Sequence, residues 1–195
     1  FNEAEISTRK ALELNPNYAS AYSNLGGILK DLGKLKEAEI STRKALELNP
    51  NYAIAHSNLG GILRDIGNLQ EAEMSTRKAL EFNPNSFEAY CNLGNILSDI
   101  GRSKEAEISI CKALELNPNC IEAHCTLGNI LKDLGKLKEA EIYTRKAIEI
   151  KPDYAEAYLN KANISNNFGK LKEAAVSLRK AIEIKPDYAE AHSNL

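Results

Sequence analysis

Six prolines, Pro16, Pro50, Pro84, Pro118, Pro152 and Pro186, stand 34 residues apart, and the chain has no others. Proline lacks the amide donor and clashes with the preceding turn, so each one marks the edge of a helix. The eleven glycines keep the same period: Gly33, Gly67, Gly101, Gly135 and Gly169 share one phase, and Gly26, Gly60, Gly94 and Gly128 a second, with Gly27 and Gly61 beside it. No proline or glycine is left over to punctuate a different architecture. A period of this length belongs to stacked helical repeats.

Within residues 19–52, Tyr22, Leu25, Ile28, Leu29 and Leu32 recur at spacings of three and four, which predicts a helix with one buried stripe. Gly33 ends it in the manner of a C-terminal cap. A second stripe, Leu35, Ala38, Ala45, Leu46 and Leu48, predicts a partner helix, stopped by Pro50 with Asn49 biased toward extended backbone. Two alanine ladders repeat through the chain, Ala4, Ala38, Ala72, Ala106, Ala140 and Ala174, then Ala11, Ala45, Ala79, Ala113, Ala147 and Ala181. Small side chains at fixed helical positions allow close helix contact. Asp153 with Glu156, Asp187 with Glu190, Asn119 with Glu122 and Asn85 with Glu88 have capping-box spacing, which predicts that each pair starts the next helix.

These ladders, with Asn24-Leu25-Gly26 before the first turn and Ala-Leu-Glu-Leu-Asn-Pro closing the unit at 45–50, resemble the tetratricopeptide repeat family over the whole chain. The resemblance implies an all-α fold, a right-handed α-solenoid or superhelix of antiparallel helix pairs. Its first helices would line a concave wall and its second helices the outer face. With Ala19 as position 1, the units are 1–18 (a second helix only), 19–52, 53–86, 87–120, 121–154, 155–188 and 189–195 (the start of a first helix). Since the chain starts and stops inside a repeat, we read it as a piece of a longer array. A unit this short cannot bury enough surface alone, so stability comes from stacked neighbours. Unit 155–188 departs from the pattern: Lys161 and Ser165 replace the leucines at positions 7 and 11, which predicts weaker packing there.

Composition narrows the partner. With 25 basic against 27 acidic residues, a net charge of -2 supplies no electrostatic reason to bind nucleic acid or an anionic membrane surface. Four cysteines, Cys91, Cys111, Cys120 and Cys125, show neither CxxC nor Cys/His ligand spacing, so no metal site is expected; Cys91 and Cys125 fall at equivalent places on successive first helices, too far apart for a relaxed disulfide, and a reduced, cytoplasmic setting is the default. The histidines His56, His124 and His192 all occupy position 4, where Tyr22, Tyr90 and Tyr158 alternate with them, a helix-packing position. Nucleophile, general-base and phosphate-loop motifs are absent, so no enzyme and no cofactor are expected.

Asn24, Asn58, Asn92, Asn160 and Asn194 hold position 6 in every unit except 121–154, where Thr126 stands. A side-chain amide both donates and accepts, so such a row can grip the main chain of an extended peptide whatever its side chains. A partial second row, Asn95, Asn129 and Asn163, follows at position 9, where Gly27 and Gly61 stand earlier, and places the footprint at residues 90–165. The arrangement resembles the asparagine ladder in the superhelix of the O-linked N-acetylglucosamine transferases. It is unlike the carboxylate clamp of co-chaperone repeats, because the cations at positions 2 and 5 are missing. Asp31, Asp65, Asp99 and Asp133 at position 13 would repel a terminal carboxylate and favour a basic segment, unless Lys30, Arg64 and Lys132 at position 12 neutralise them.

The leading expectation is a scaffold that holds a protein or peptide segment in its concave groove. Two alternatives are a substrate-recruiting arm of a larger enzyme, such as a glycosyltransferase, and a structural array that associates end to end through apolar terminal faces.

Overall fold

The computed structural model describes residues 2–195, which contain twelve helices and no strand. They are α1 (Asn2–Leu14), α2 (Ala19–Asp31), α3 (Leu35–Leu48), α4 (Ala53–Ile66), α5 (Leu69–Phe82), α6 (Phe87–Asp99), α7 (Ser103–Leu116), α8 (Ile121–Asp133), α9 (Leu137–Ile150), α10 (Ala155–Asn167), α11 (Leu171–Ile184) and α12 (Ala189–Asn194). The fold is an α-solenoid of helix pairs. By compactness the chain divides into two units, residues 1–101 and 102–195.

In the first unit α2 packs on α3 and α4 on α5 as hairpins, while α2 also lies against α4 and α4 against α6. In the second, α8 pairs with α9 and α10 with α11, and α8 lies against α10. The turn inside each hairpin is a Schellman motif. After α2, Gly33 N–H donates to the Lys30 carbonyl (2.9 Å) and Lys34 N–H to that of Leu29 (2.8 Å). Gly33 has φ 73°, a conformation that costs a residue with a Cβ, so the glycine follows from the turn.

The hairpins close on small residues. Ala38, Ala72, Ala106 and Ala140 are wholly enclosed, as are Ala45, Ala113, Ala147 and Ala181, in keeping with the expectation of close contact. At Gly60 the approach is tighter still: a Cβ there would lie 2.0 Å from Thr76 Oγ1. Leucines and isoleucines then join successive hairpins. In the first unit Leu25, Leu29 and Ala38 meet Ile62 of the next hairpin, and Leu59, Leu63 and Ala72 meet Ile96. In the second, Leu159, Ala162, Ala174, Leu178 and Ala181 form a cluster with Ala191.

After each proline-terminated helix the chain turns on an asparagine. Asn49, at φ -141° and ψ 89°, is extended as expected, and its Oδ1 accepts from Asn51 N–H at 3.3 Å. That geometry overturns the capping boxes. The residues before α8, α10 and α12 are Cys120, Tyr154 and Tyr188, none of which caps through its side chain. Only α6 of this set has a side-chain cap, in which Ser86, not Asn85, accepts from Ala89 N–H. The helices start one residue later than the Asn/Asp–Glu spacing requires, so the carboxylates of Glu88, Glu122, Glu156 and Glu190 are not drawn back to the backbone.

The histidines pack, with one exception. His56 and His124 are buried, stack on Phe82 and Tyr143, and donate from Nε2 to the carbonyls of Pro50 (2.8 Å) and Pro118 (2.9 Å). His192 donates to Pro186 in the same way (2.9 Å) but is exposed. At the divergent repeat Lys161 is exposed, whereas the leucines at its position in the other repeats are buried, and Ser165 is buried like the leucines it replaces but is smaller.

Candidate partner-binding groove

Of the position 6 asparagines, Asn58, Asn92 and Asn160 are each tied to the first helix of the preceding hairpin. Asn58 Nδ2 on α4 donates to the carbonyl (3.3 Å) and hydroxyl (3.1 Å) of Ser23 on α2. Asn92 Nδ2 on α6 makes the same two bonds to Ser57, at 3.3 and 3.1 Å. In the second unit Asn160 Nδ2 on α10 donates to the Cys125 carbonyl on α8 at 3.1 Å. A helix carbonyl already serves its own i+4 amide, so each asparagine adds a second bond to a lone pair that the helix leaves open. At Asn58, Asn92 and Asn160 the amide nitrogen is therefore anchored on the protein and Oδ1 is turned away as an acceptor, with one N–H of Asn160 left over.

Burial grades along the row. Asn24 and Asn194 are exposed, Asn58 and Asn92 are half-buried, and Asn160 is 5% exposed. Two clefts take in Asn58 and Asn160. In the first unit Ile54, Ser57 and Asn58 of α4 face Asn83, Ser86 and Glu88 across about 330 Å³. In the second, a cleft of about 310 Å³ gathers Thr126 and Asn129 of α8, Asn160 and Asn163 of α10, the tyrosines Tyr154 and Tyr188, and the carboxylates of Glu122, Glu156 and Glu190. Asn95 is half-buried on α6. Asn129 Oδ1 accepts weakly from Lys132 at 3.4 Å.

The position 13 aspartates sit in ion pairs. Lys30 reaches Asp65 at 3.4 Å, Arg64 reaches Asp99 at 2.5 Å, and Lys132 turns to its neighbour Asp133 at 3.2 Å. Asp31 has no ion pair among the described residues, and it is exposed. The negative character of the second cleft comes instead from Glu122, Glu156 and Glu190, which sequence reasoning set aside as helix caps. Tyr154 and Tyr188 were missed as well. Their signal was the tyrosine that recurs at position 34, in Tyr18, Tyr52, Tyr154 and Tyr188.

Burial, aided by the nearby carboxylates Glu156 and Glu190, pushes the Tyr188 phenol up to about 12. Tyr154 is raised too, chiefly by burial. Both phenols stay protonated at neutral pH and can donate. The Cys125 thiol is pushed up to about 12 by burial first and by Glu156 and Glu122 second, which removes it as a nucleophile near neutrality. None of the four cysteines is in a disulfide, and no group of three metal-ligating side chains occurs among the described residues. No helix among the described residues is long and apolar enough to cross a membrane.

Sequence profiles described as tetratricopeptide repeats match residues 19–52, 42–74, 76–108, 121–154 and 168–195. The chain belongs to the tetratricopeptide repeat family. Among solved structures it is similar to YrrB, described as a TPR protein with an unusual peptide-binding site, at 30% identity over 95% of this chain and 96% of that one, with a TM-score of 0.68. It is similar to MamA at 27% identity, 85% and 97% coverage and a TM-score of 0.69. PilF of Pseudomonas aeruginosa shares the fold, at 23% identity, 98% and 87% coverage and a TM-score of 0.79. No curated protein matches the chain. The fold held in common with these proteins is that of a protein-interaction scaffold.

Proposed function

We propose that the asparagine positions of each unit hold an extended segment of a partner protein, with Asn58, Asn92 and Asn95 serving its main chain in the first unit and Asn129, Asn160 and Asn163 in the second. The observation that carries this reading is the fixed direction of the amides. Because Nδ2 of Asn58, Asn92 and Asn160 is anchored on the preceding helix, each Oδ1 is held as an acceptor without loss of rotamer freedom on binding. The row then accepts main-chain N–H groups, and the protonated Tyr154 and Tyr188 supply donors for carbonyls. A peptide-binding site described for the similar protein YrrB supports the same use of the fold.

Changing Asn58, Asn92 and Asn160 together to alanine tests it. Retention of a mixed pool of unstructured peptides on the immobilised protein, measured well below the melting temperature, is expected to fall at least tenfold. Undiminished retention by a folded triple variant would reject the row as a binding element.

A further inference from the structure

The divergent repeat opens a second space between helices. A cavity of about 170 Å³ opens between α9, α10 and the start of α11, and it shares no lining residue with the cleft beside Asn160. Its cause is legible residue by residue. Leu25 and Leu29, Leu59 and Leu63, Leu93 and Leu97, and Leu127 and Leu131 are at most 4% exposed and fill the equivalent space in four repeats. Lys161 and Ser165 leave that space empty.

The walls combine apolar and polar groups. Ile148, Ile164 and Phe168 supply the hydrocarbon. Ser165, 6% exposed, lines the cavity and its hydroxyl makes no hydrogen bond to the described residues. Thr144, 1% exposed, has a hydroxyl with no partner, although Thr42 and Thr76 at the same position of other repeats donate to the carbonyls of Ala38 (2.8 Å) and Ala72 (2.9 Å). The Thr144 hydroxyl lies against Gly128 of α8, where a Cβ would be 2.4 Å from it, so Ser165 supplies the hydroxyl that an occupant of the cavity can meet.

The rim is biased toward positive charge. Arg145 lies 3.7 Å from Glu141 and Lys170 lies 3.7 Å from Glu173, but the exposed Lys161 has no ion pair among the described residues. We infer that this cavity is a docking site for one branched aliphatic side chain, leucine or isoleucine, of a partner polypeptide in which a carboxylate lies next to that side chain. The aliphatic group takes the place that a leucine has in the other repeats, the adjoining backbone meets the Ser165 hydroxyl, and the carboxylate meets Lys161. An apolar cavity of this order of size accepts a small hydrocarbon group. The site is independent of the asparagine row and stands or falls without it.

The test uses the whole chain and a blocked Gly-Glu-Leu-Glu-Gly peptide, followed through the methyl signals of Ile148 and Ile164. Saturable shifts in the millimolar range are expected, with at least tenfold weaker binding when the peptide leucine becomes alanine or its glutamates become lysine. Lys161→Leu with Ser165→Leu fills the cavity, so it should melt higher and bind at least tenfold more weakly. Should that variant not fold, Lys161→Glu at the exposed rim should weaken the glutamate peptide alone. Equal binding by the filled variant, no saturation, or indifference to peptide charge would overturn the proposal. So would a wild-type dimer that becomes monomeric on filling, since the occupant would then be a second copy.

Discussion

The Asn58 amide reaches back 35 residues to Ser23 and donates to both its carbonyl and its hydroxyl. The same side chain thus lines a cleft and fastens the seam between hairpins. Asn58→Ala is expected to cost about 1 kcal/mol of stability through the lost bonds, while Asn58→Asp should cost more, since it sets a carboxylate against a carbonyl. Urea denaturation of the two variants would check the order. Equal stability of the aspartate and wild-type proteins would show that the clasp is not formed.

Two glycines make opposite predictions. A Cβ at Gly60 would lie 2.0 Å from Thr76 Oγ1 and 3.2 Å from the Ala72 carbonyl, so Gly60→Ala should lose about 1–3 kcal/mol to overpacking, and Thr76→Ala in the same chain should restore part of it. Gly27 meets nothing within 4 Å inside α2, so Gly27→Ala should gain up to about 1 kcal/mol from helix propensity. Thermal melts of the three variants would separate the two cases.

Ser165→Leu restores a side chain that four other repeats possess. Filling the space beside Ile164 should stabilise the chain by about 0.5–2 kcal/mol. A lower melting temperature would mean that the walls had already closed.

Cys125 makes the fold sensitive to alkali. Its folded value of about 12 lies above the ordinary 9.0, so the stability tied to the neutral thiol is complete below about pH 9 and drains away as pH rises toward 12. Cys125→Ala should flatten that part of the alkaline loss in urea titrations at pH 8 and pH 10.5. It should leave behaviour at pH 7 on a constant offset.

The architecture was legible because turns are punctuated by residues with no substitute. Gly33 is required by a positive φ and Pro50 by the end of a helix, and both conditions are local. Ser165 was legible for a similar reason, as a polar residue at a place where leucines pack. The groove was harder. That Asn58 would spend its donor on Ser23 depends on how two hairpins stack, which no pattern within one helix encodes. The glutamates failed for a subtler reason. Their spacing suits a capping box, but the Asn49-type turn carries the chain one residue further before helical geometry begins, and Glu122, Glu156 and Glu190 are delivered to a cleft.

The seam between hairpins has a consequence for how such a chain grows. Asn58, Asn92 and Asn160 each find a backbone acceptor in the module before, and backbone acceptors are supplied whatever residue stands there: a serine serves for Asn58 and a cysteine for Asn160. A copied module therefore arrives with its fastening compatible with either neighbour. Lengthening by whole modules needs no matching change elsewhere, which leaves the side chains of each copy at liberty to drift toward separate tasks.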